Sequence, residues 1–530
     1  MSNGQKSWGA RVRAWVPDAP GFLRGNDTAL KRGSRQGSER NRLADRLRRA
    51  NSKLPIVALS LAAGVSAAGV VVISSHLNIL VLPAILLVAL GVGTLALLRP
   101  MWVLYGAIAC VPLETFSLAV GGALSLSPSQ VLFIAAGFGW LANTLVRGRS
   151  FPAPTPLVLS LGLLVAAVIP GFLVAEDTIS VLKVFVVWLA FALCALMVLA
   201  EGDQRVVQNI LIALALAGGL AGAIAIGKPP DPRAGGRAAG TLLHPNAVGL
   251  FLAMSMTAQI VLALRGPRRL RPVMIAALGI SVVALTATLS RGAFLAAATA
   301  LALMCFWAPL RRAAVVLAVA LFALSFLGAN PLAPAIKTDQ IVQRFQKLGD
   351  SSDESNSARR QLYGKIPEMA KDHPLVGVGA GNFVKASPHY GLSYRSGASI
   401  DHGHSVFFTA VVELGILGLG ALLWVVGALV LELSRILRRS HGERRVLGFA
   451  LAGAFTAFAV QGLFSGALTT SALTGTLFAL VGCTGALGSS ARWVRQPDSK
   501  TPPSGDSSPS IPFPPTPEGR VSPTPQPARM

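Results

Sequence analysis

Apolar residues in this chain follow one another for 17 to 27 positions at a stretch instead of alternating with polar ones. As a helix, such a run reaches across the roughly 30 Å hydrocarbon core of a bilayer. A sliding-window reading predicts about 14 spans, near 54–74, 79–98, 101–119, 129–146, 156–175, 181–200, 207–226, 246–264, 273–289, 293–309, 313–329, 405–431, 447–465 and 471–488. Only Ser290-Arg291-Gly292 separates the ninth run from the tenth. The expected architecture is an all-α polytopic bundle of about 12 to 14 spans with one large loop outside the membrane.

Polar positions gather in three places. Residues 1–53 form a basic arm, 54–329 a first helical block, 330–404 a long loop, 405–488 the last helices, and 489–530 a tail. The stretch 492–530 holds 11 prolines in 39 residues, a composition that stays solvated and disordered. The loop is too long to be a simple connector.

Composition agrees with a membrane protein. The chain is 52% hydrophobic and 13% charged, with a mean hydropathy of +0.59, where a soluble chain carries about a quarter charged residues. The net charge of +24 therefore does not point to nucleic acid, and the arm alone holds 13 Lys/Arg against 4 Asp/Glu. No cleavable signal peptide is expected, because the first apolar run begins only at Leu54. Cys110, Cys194, Cys305 and Cys483 each lie within an apolar run without paired spacing, so neither a disulfide nor a metal site is indicated.

The charges also orient the bundle. Arg99, Arg147/Arg149, Arg205, Arg265/Arg268/Arg269/Arg271, Arg311/Arg312 and the arginines of 435–445 fall in alternate loops, which are then cytoplasmic. Loops 75–78, 120–128, 176–180 and 466–470 hold no Lys or Arg. With an even span count both termini are expected inside. The exceptions on the outer side are Lys228/Arg233/Arg237, the lone Arg291, and nine Lys/Arg in 330–403. Six of the seven histidines share that side: His76, His244, His373, His389, His402 and His404. A long loop translocates whatever its charge, which is the bland account of that segment.

Three expected helices re-enter from outside behind polar residues: Arg237 to His244-Pro245-Asn246, Ser290-Arg291-Gly292, and Asp401-His402-Gly403-His404-Ser405. Helix starts carry unpaired N–H groups and partial positive charge, and arginine adds a fork matched to phosphate oxygens. Each element also has a plainer reading. Arg291 is open to snorkelling towards headgroups, His244-Pro245-Asn246 to a turn and cap, and Glu114 and Glu413 to buried structural roles. Glu413 follows His404 by nine residues, which places it on the opposite helix face and unsuited to orienting that ring.

Within the loop, Leu362, Ile366 and Met369 stand at helical spacing over 357–372, while Pro367 is expected to kink or break the helix. Arg359 falls at the edge of that stripe and Arg360 opposite it. Gly377-Val-Gly379-Ala-Gly381 is open to a weak reading as a backbone cradle for phosphate.

The ordered set resembles the O-antigen ligase/polymerase superfamily. Arg359, Tyr363 and Asp372-His373-Pro374-Leu375-Val376-Gly377-Val378-Gly379-Ala380-Gly381-Asn382-Phe383 carry the likeness, continued by His404 and Glu413-Leu414-Gly415 and preceded by Arg237-x-x-Gly240-Thr241, Pro245-Asn246 and Ser290-Arg291-Gly292. The resemblance implies a C-type glycosyltransferase fold with its site on the extracytoplasmic face. It implies transfer of glycan from a polyprenyl diphosphate to an acceptor hydroxyl, without metal or other cofactor. His404 then takes the catalytic position, Arg291 and Arg359 bind diphosphate with Arg237 beside them, and Tyr363, His244, Asn246 and Glu413 serve the acceptor or support the site. Ser405 stands where the family usually has Asn, and Tyr363 where it has Trp.

The residue types suit this chemistry on their own. A histidine at a helix start can accept the acceptor's proton, and arginines can stabilise a departing diphosphate. The expected partners are a polyprenyl-diphosphate-linked glycan, a lipid or polysaccharide acceptor, and the bilayer. Two other classes stay open: a lipid-linked glycan transporter or flippase, and a membrane scaffold. Only Lys183 puts a cation within an expected span, and no inverted repeat is evident. Ligase and polymerase differ in the acceptor, which the residues do not reveal.

Overall fold

The computed structural model describes residues 82–116, 118–120, 124–229, 236–242, 244–306, 354–392, 402–466 and 470–493, with single residues 311, 319, 400 and 468. Its helices are α1 (Leu82–Leu98), α2 (Pro100–Ala109), α3 (Pro128–Val146), α4 (Pro156–Ala166), α5 (Gly171–Val174), α6 (Thr178–Glu201), α7 (Gln204–Gly227), α8 (Pro245–Arg265), α9 (Arg271–Thr288), α10 (Arg291–Cys305), α11 (Glu354–Asp372), α12 (Phe383–Ala386), α13 (Val406–Arg439), α14 (Gly442–Gly462) and α15 (Ser471–Trp493). Many begin where the sequence supplies a cap. Ser127 and Gln130 close a reciprocal capping box on α3, and Thr155, Asp177 and Asp203 accept first-turn N–H groups of α4, α6 and α7.

Among the described residues, nine helical segments are long and apolar enough to cross a membrane. Leu87–Leu98, Pro100–Ala109 and Arg291–Cys305 are shorter apolar helices. The expected spans near 54–74 and 313–329, the basic arm, most of the tail and the first part of the long loop lie outside the described residues. Three runs differ from their expected form. The run 101–119 is no single helix: α2 ends at Ala109, a 3-10 turn with Pro112 follows, and the chain then forms an antiparallel hairpin of β1 (Leu118–Val120) and β2 (Leu124–Leu126). That hairpin is the one departure from an all-helical architecture among the described residues. The run 156–175 is interrupted between α4 and α5, where Pro170 offers no N–H. The twelfth run extends to Arg439 with a break at Gly415.

Helices α8 and α15 are enclosed by the rest. α8 packs on α7, α9, α10 and α14, and α15 packs on α6 and α13. Small residues permit close approach. A Cβ at Gly218 of α7 would lie 2.2 Å from the Ser255 Cβ of α8. Gln259 of α8 donates to the Ala215 carbonyl at 2.9 Å and to Ser281 at 3.0 Å, so its amide joins three helices inside the apolar interior. Exposed Leu216, Leu220, Ile275, Leu423 and Leu431 give the exterior the apolar character a lipid environment suits.

The contacts between helix ends sort those ends into two groups. One end carries the arginine-rich turns and a small polar knot in which Trp140 Nε1 and Arg149 both donate to Glu201 at 3.1 Å. The other end carries the starts of α3, α6, α8, α10, α13 and α15, and with them every candidate site residue.

Candidate active site

At the junction of α8, α9 and α10 the chain leaves α9 through Leu289, whose φ of 49° is left-handed, and Ser290 caps α10 by accepting from the Ala293 N–H at 3.4 Å. Arg291 is therefore the first residue of a helix, as expected. Arg237 reaches this junction from a separate segment. Its Nε donates to the Thr288 carbonyl at 2.8 Å and its Nη2 to Asn246 Oδ1 at 2.9 Å. The same Asn246 oxygen accepts from Ser290 Oγ at 2.8 Å. Arg237, Asn246 and Ser290 thus form one polar unit that ties the starts of α8 and α10. His244 is the N-cap of α8, its Nδ1 accepting from the Asn246 N–H at 3.1 Å, and its ring is exposed.

The loop helix α11 buries Leu362, Ile366 and Met369, the expected stripe. It continues through Pro367 without the break that was one of the two expected outcomes. Pro367 sits on the exposed face, where the carbonyl it deprives of a partner can be solvated. Arg360 is exposed, whereas Arg359 is half-buried and donates through Nη2 to the Phe464 carbonyl at 3.2 Å.

The glycine-rich segment after α11 docks against the backbone of α13. Gly415, at φ 65°, breaks α13 and frees backbone groups on both sides. Residues 374–379 satisfy them: Val378 and Gly379 donate to the Val412 and Glu413 carbonyls at 2.8 and 3.0 Å, and Ile416 donates to the Pro374 carbonyl at 2.9 Å. The amides of Gly377, Val378 and Gly379 are thus taken up by backbone carbonyls. A Cβ at Gly377 would lie 2.4 Å from the Val412 oxygen, and one at Gly415 2.3 Å from the Leu375 oxygen. Backbone therefore crosses backbone at this point. Glu413 receives the Phe383 N–H at 3.3 Å, so it braces the loop. Asn382 extends the brace, accepting from the Asp177 N–H at 2.8 Å and donating to its carbonyl at 3.1 Å. Glu114, expected within a span, lies outside the helices at the end of the 3-10 turn, where burial pushes its carboxyl up and Ser129 donates to it at 3.1 Å.

His404 is buried, two residues before α13 begins, with a left-handed φ of 49°. The His402 ring lies against it, the centroids 4.5 Å apart. One turn further on, Phe408 meets Tyr363 of α11 edge-on at 5.2 Å, and both rings remain partly exposed.

The outer end of α14 joins these pieces, a role not apparent from the sequence. Gln461 Nε2 donates to the Asn246 carbonyl at 3.5 Å, and its Oε1 presses on Gly292. Phe464 receives Arg359, and Gly466 lies under the His402 ring, so close that a Cβ there would be 2.4 Å from the His402 Cδ2. All three sequence motifs therefore converge on 461–466. The signal available beforehand was a single amide, Gln461, closing an apolar run ahead of Gly462-Leu-Phe-Ser-Gly466. Among the described residues no group of three His, Cys, Asp or Glu is disposed to hold a metal ion.

A helical bundle of membrane-crossing length, with histidine and arginine gathered at one set of helix ends, defines a multi-pass membrane protein with a site where the helices emerge. Residues 275–423 match the O-antigen ligase family, a likeness over that stretch to the O-antigen ligase/polymerase superfamily. The family supports a glycosyltransferase-like role in polysaccharide assembly, with lipid-linked glycan substrates. The matched stretch includes Arg291, Arg359, Tyr363, His404 and Glu413, and leaves out Arg237, His244, Asn246 and Gln461. No curated protein matches the chain.

Proposed function

We propose that this chain transfers a glycan from a polyprenyl diphosphate to an acceptor hydroxyl at the extracytoplasmic face of the cytoplasmic membrane, with both termini inside. The convergence of the Arg291, Arg359 and His404 segments on 461–466 is the observation that carries the reading. His404 accepts the proton of the acceptor hydroxyl as that oxygen bonds to the sugar's anomeric carbon. The bond from that carbon to the diphosphate breaks, and polyprenyl diphosphate departs with the electron pair. Arg291 and Arg359 stabilise the charge it gains, and Arg237, held by Thr288 and Asn246, adds to the positive field of the same junction. Tyr363, partly exposed beside Phe408, offers a ring face for sugar, while His244, Asn246 and Glu413 hold the frame. No metal or cofactor enters this scheme. A site at the helix ends leaves the polyprenyl tail in the bilayer.

The test is reconstitution of the full chain in vesicles with a polyprenyl-diphosphate-linked oligosaccharide and an acceptor. Release of polyprenyl diphosphate with glycan on the acceptor is expected, and the acceptor that works separates ligase from polymerase. Intact lipid-linked glycan crossing the bilayer would overturn the reading in favour of a flippase. Arg291→Lys and Arg359→Lys are each expected to slow turnover more than Arg360→Ala, because an ammonium lacks the planar fork. Near-normal turnover of a folded Arg291→Ala variant would return that residue to headgroup snorkelling.

A further inference from the structure

Gln461 is an amide at the end of an otherwise apolar helix, and it is 1% exposed. Its two polar atoms face different elements. Nε2 reaches the Asn246 carbonyl in the first turn of α8, 3.5 Å away. Oε1 has no hydrogen-bond partner among the described residues and is aimed at the first turn of α10, where a Cβ on Gly292 would stand 2.3 Å from it. A buried amide oxygen without a partner is costly, by about 1–3 kcal/mol, so its presence at a helix start calls for an explanation. The first turn of α10 is the positive end of its helix dipole, and an amide oxygen pressed on it is drawn to that end. Glycine at 292 is what lets the carboxamide come so close.

We infer that Gln461 is a positioning residue for the diphosphate site, setting the distance between the starts of α8 and α10 so that Arg291 and the Arg237–Asn246 unit address one anion. The inference rests on the diphosphate reading proposed above and goes beyond it by adding α14 to the site. Its neighbours support it. Gly462 packs on Val406 at the start of α13, Phe464 receives Arg359, and Gly466 backs His402, so a shift at Gln461 is felt by every other part of the site.

The experiment uses the purified full chain in nanodiscs and measures affinity for undecaprenyl diphosphate and, in parallel, for undecaprenol. Gln461→Leu is expected to weaken binding of the diphosphate about tenfold while undecaprenol binding changes by less than about twofold. Gln461→Glu, which puts a carboxylate beside the anion, is expected to weaken it further than Leu does. Gly292→Ala approaches the same contact from the other side and displaces the carboxamide without deleting it, so it reports even where Gln461→Leu fails to fold. Combined with Gln461→Leu it should add little. Equal losses for diphosphate and alcohol would reduce Gln461 to a packing role and overturn the inference. Wild-type affinity in the Gln461 variants beside a weakened Arg291→Ala would overturn the inference alone. Wild-type affinity in Arg291→Ala would instead overturn the diphosphate reading on which it rests.

Discussion

Pro367 and Ser290 mark the two kinds of outcome at the scale of single residues. Ser290, Pro245 and the buried trio Leu362, Ile366 and Met369 behave as their local sequence implies, because capping and amphipathic spacing depend on neighbours within a turn or two. Pro367 does not break its helix, because the deciding factor is which face meets solvent, and that is set by the surface on which α11 packs. Arg237 was legible as a cation on the unexpected side, but its partners Thr288 and Asn246 come from segments that only the fold brings near. Tyr390 offers a measurable consequence. Its hydroxyl donates to Asp372 at 2.8 Å, and burial together with that carboxylate pushes its pKa up to about 12. The raised value means that the neutral phenol is favoured in the fold. Its contribution to stability is complete below the ordinary tyrosine pKa of about 10 and is lost as pH rises through about 12. An ultraviolet titration of wild type minus Tyr390→Phe should show this phenol still protonated near pH 10.5, about half a unit above the ordinary value. Ionisation at an ordinary tyrosine pH would contradict the assignment.

At the scale of elements, the instructive piece is the docking of 374–379 into the break of α13. The glycines of both segments were visible in the sequence, but their purpose was not, since a glycine-rich stretch reads alike for phosphate binding and for backbone crossing. What decides is that Val412, Glu413 and Ile416 need partners once Gly415 interrupts the helix, and 374–379 supplies them. The exchange fixes the loop to the helix that starts just after His404. Gly415→Ala and Gly377→Ala each place a Cβ on backbone atoms at positive φ, and each is expected to cost about 2 kcal/mol or more. Gly420→Ala, whose Cβ meets nothing within 4 Å, should be neutral. Thermal unfolding in detergent, with protease sensitivity of the loop as a second readout, checks this. Equal stability of all three variants would mean that the crossing is not held as described.

For the whole molecule, the positions of most long runs and the division of charge between two ends were readable, because bilayer thickness and hydrophobicity act on each segment separately. Which helices become neighbours was not readable. The enclosure of α8 and α15, and the gathering of three distant motifs on the end of α14, arise from packing of small and polar residues spread over the chain. That gathering is the basis for treating 237–246, 290–292, 359–363, 402–406 and 461–466 as one site. The account stands on His404 as the base, and the most direct measurement is turnover of His404→Ala in the reconstituted transfer assay, beside His402→Ala and at matched expression and donor binding. Loss of about 100-fold or more is expected for His404→Ala, since general-base catalysis supplies about 100- to 10,000-fold, with a smaller loss for His402→Ala. A loss below about tenfold for His404→Ala would contradict the assignment and move the search for the base to the carboxylates at the same end of the bundle.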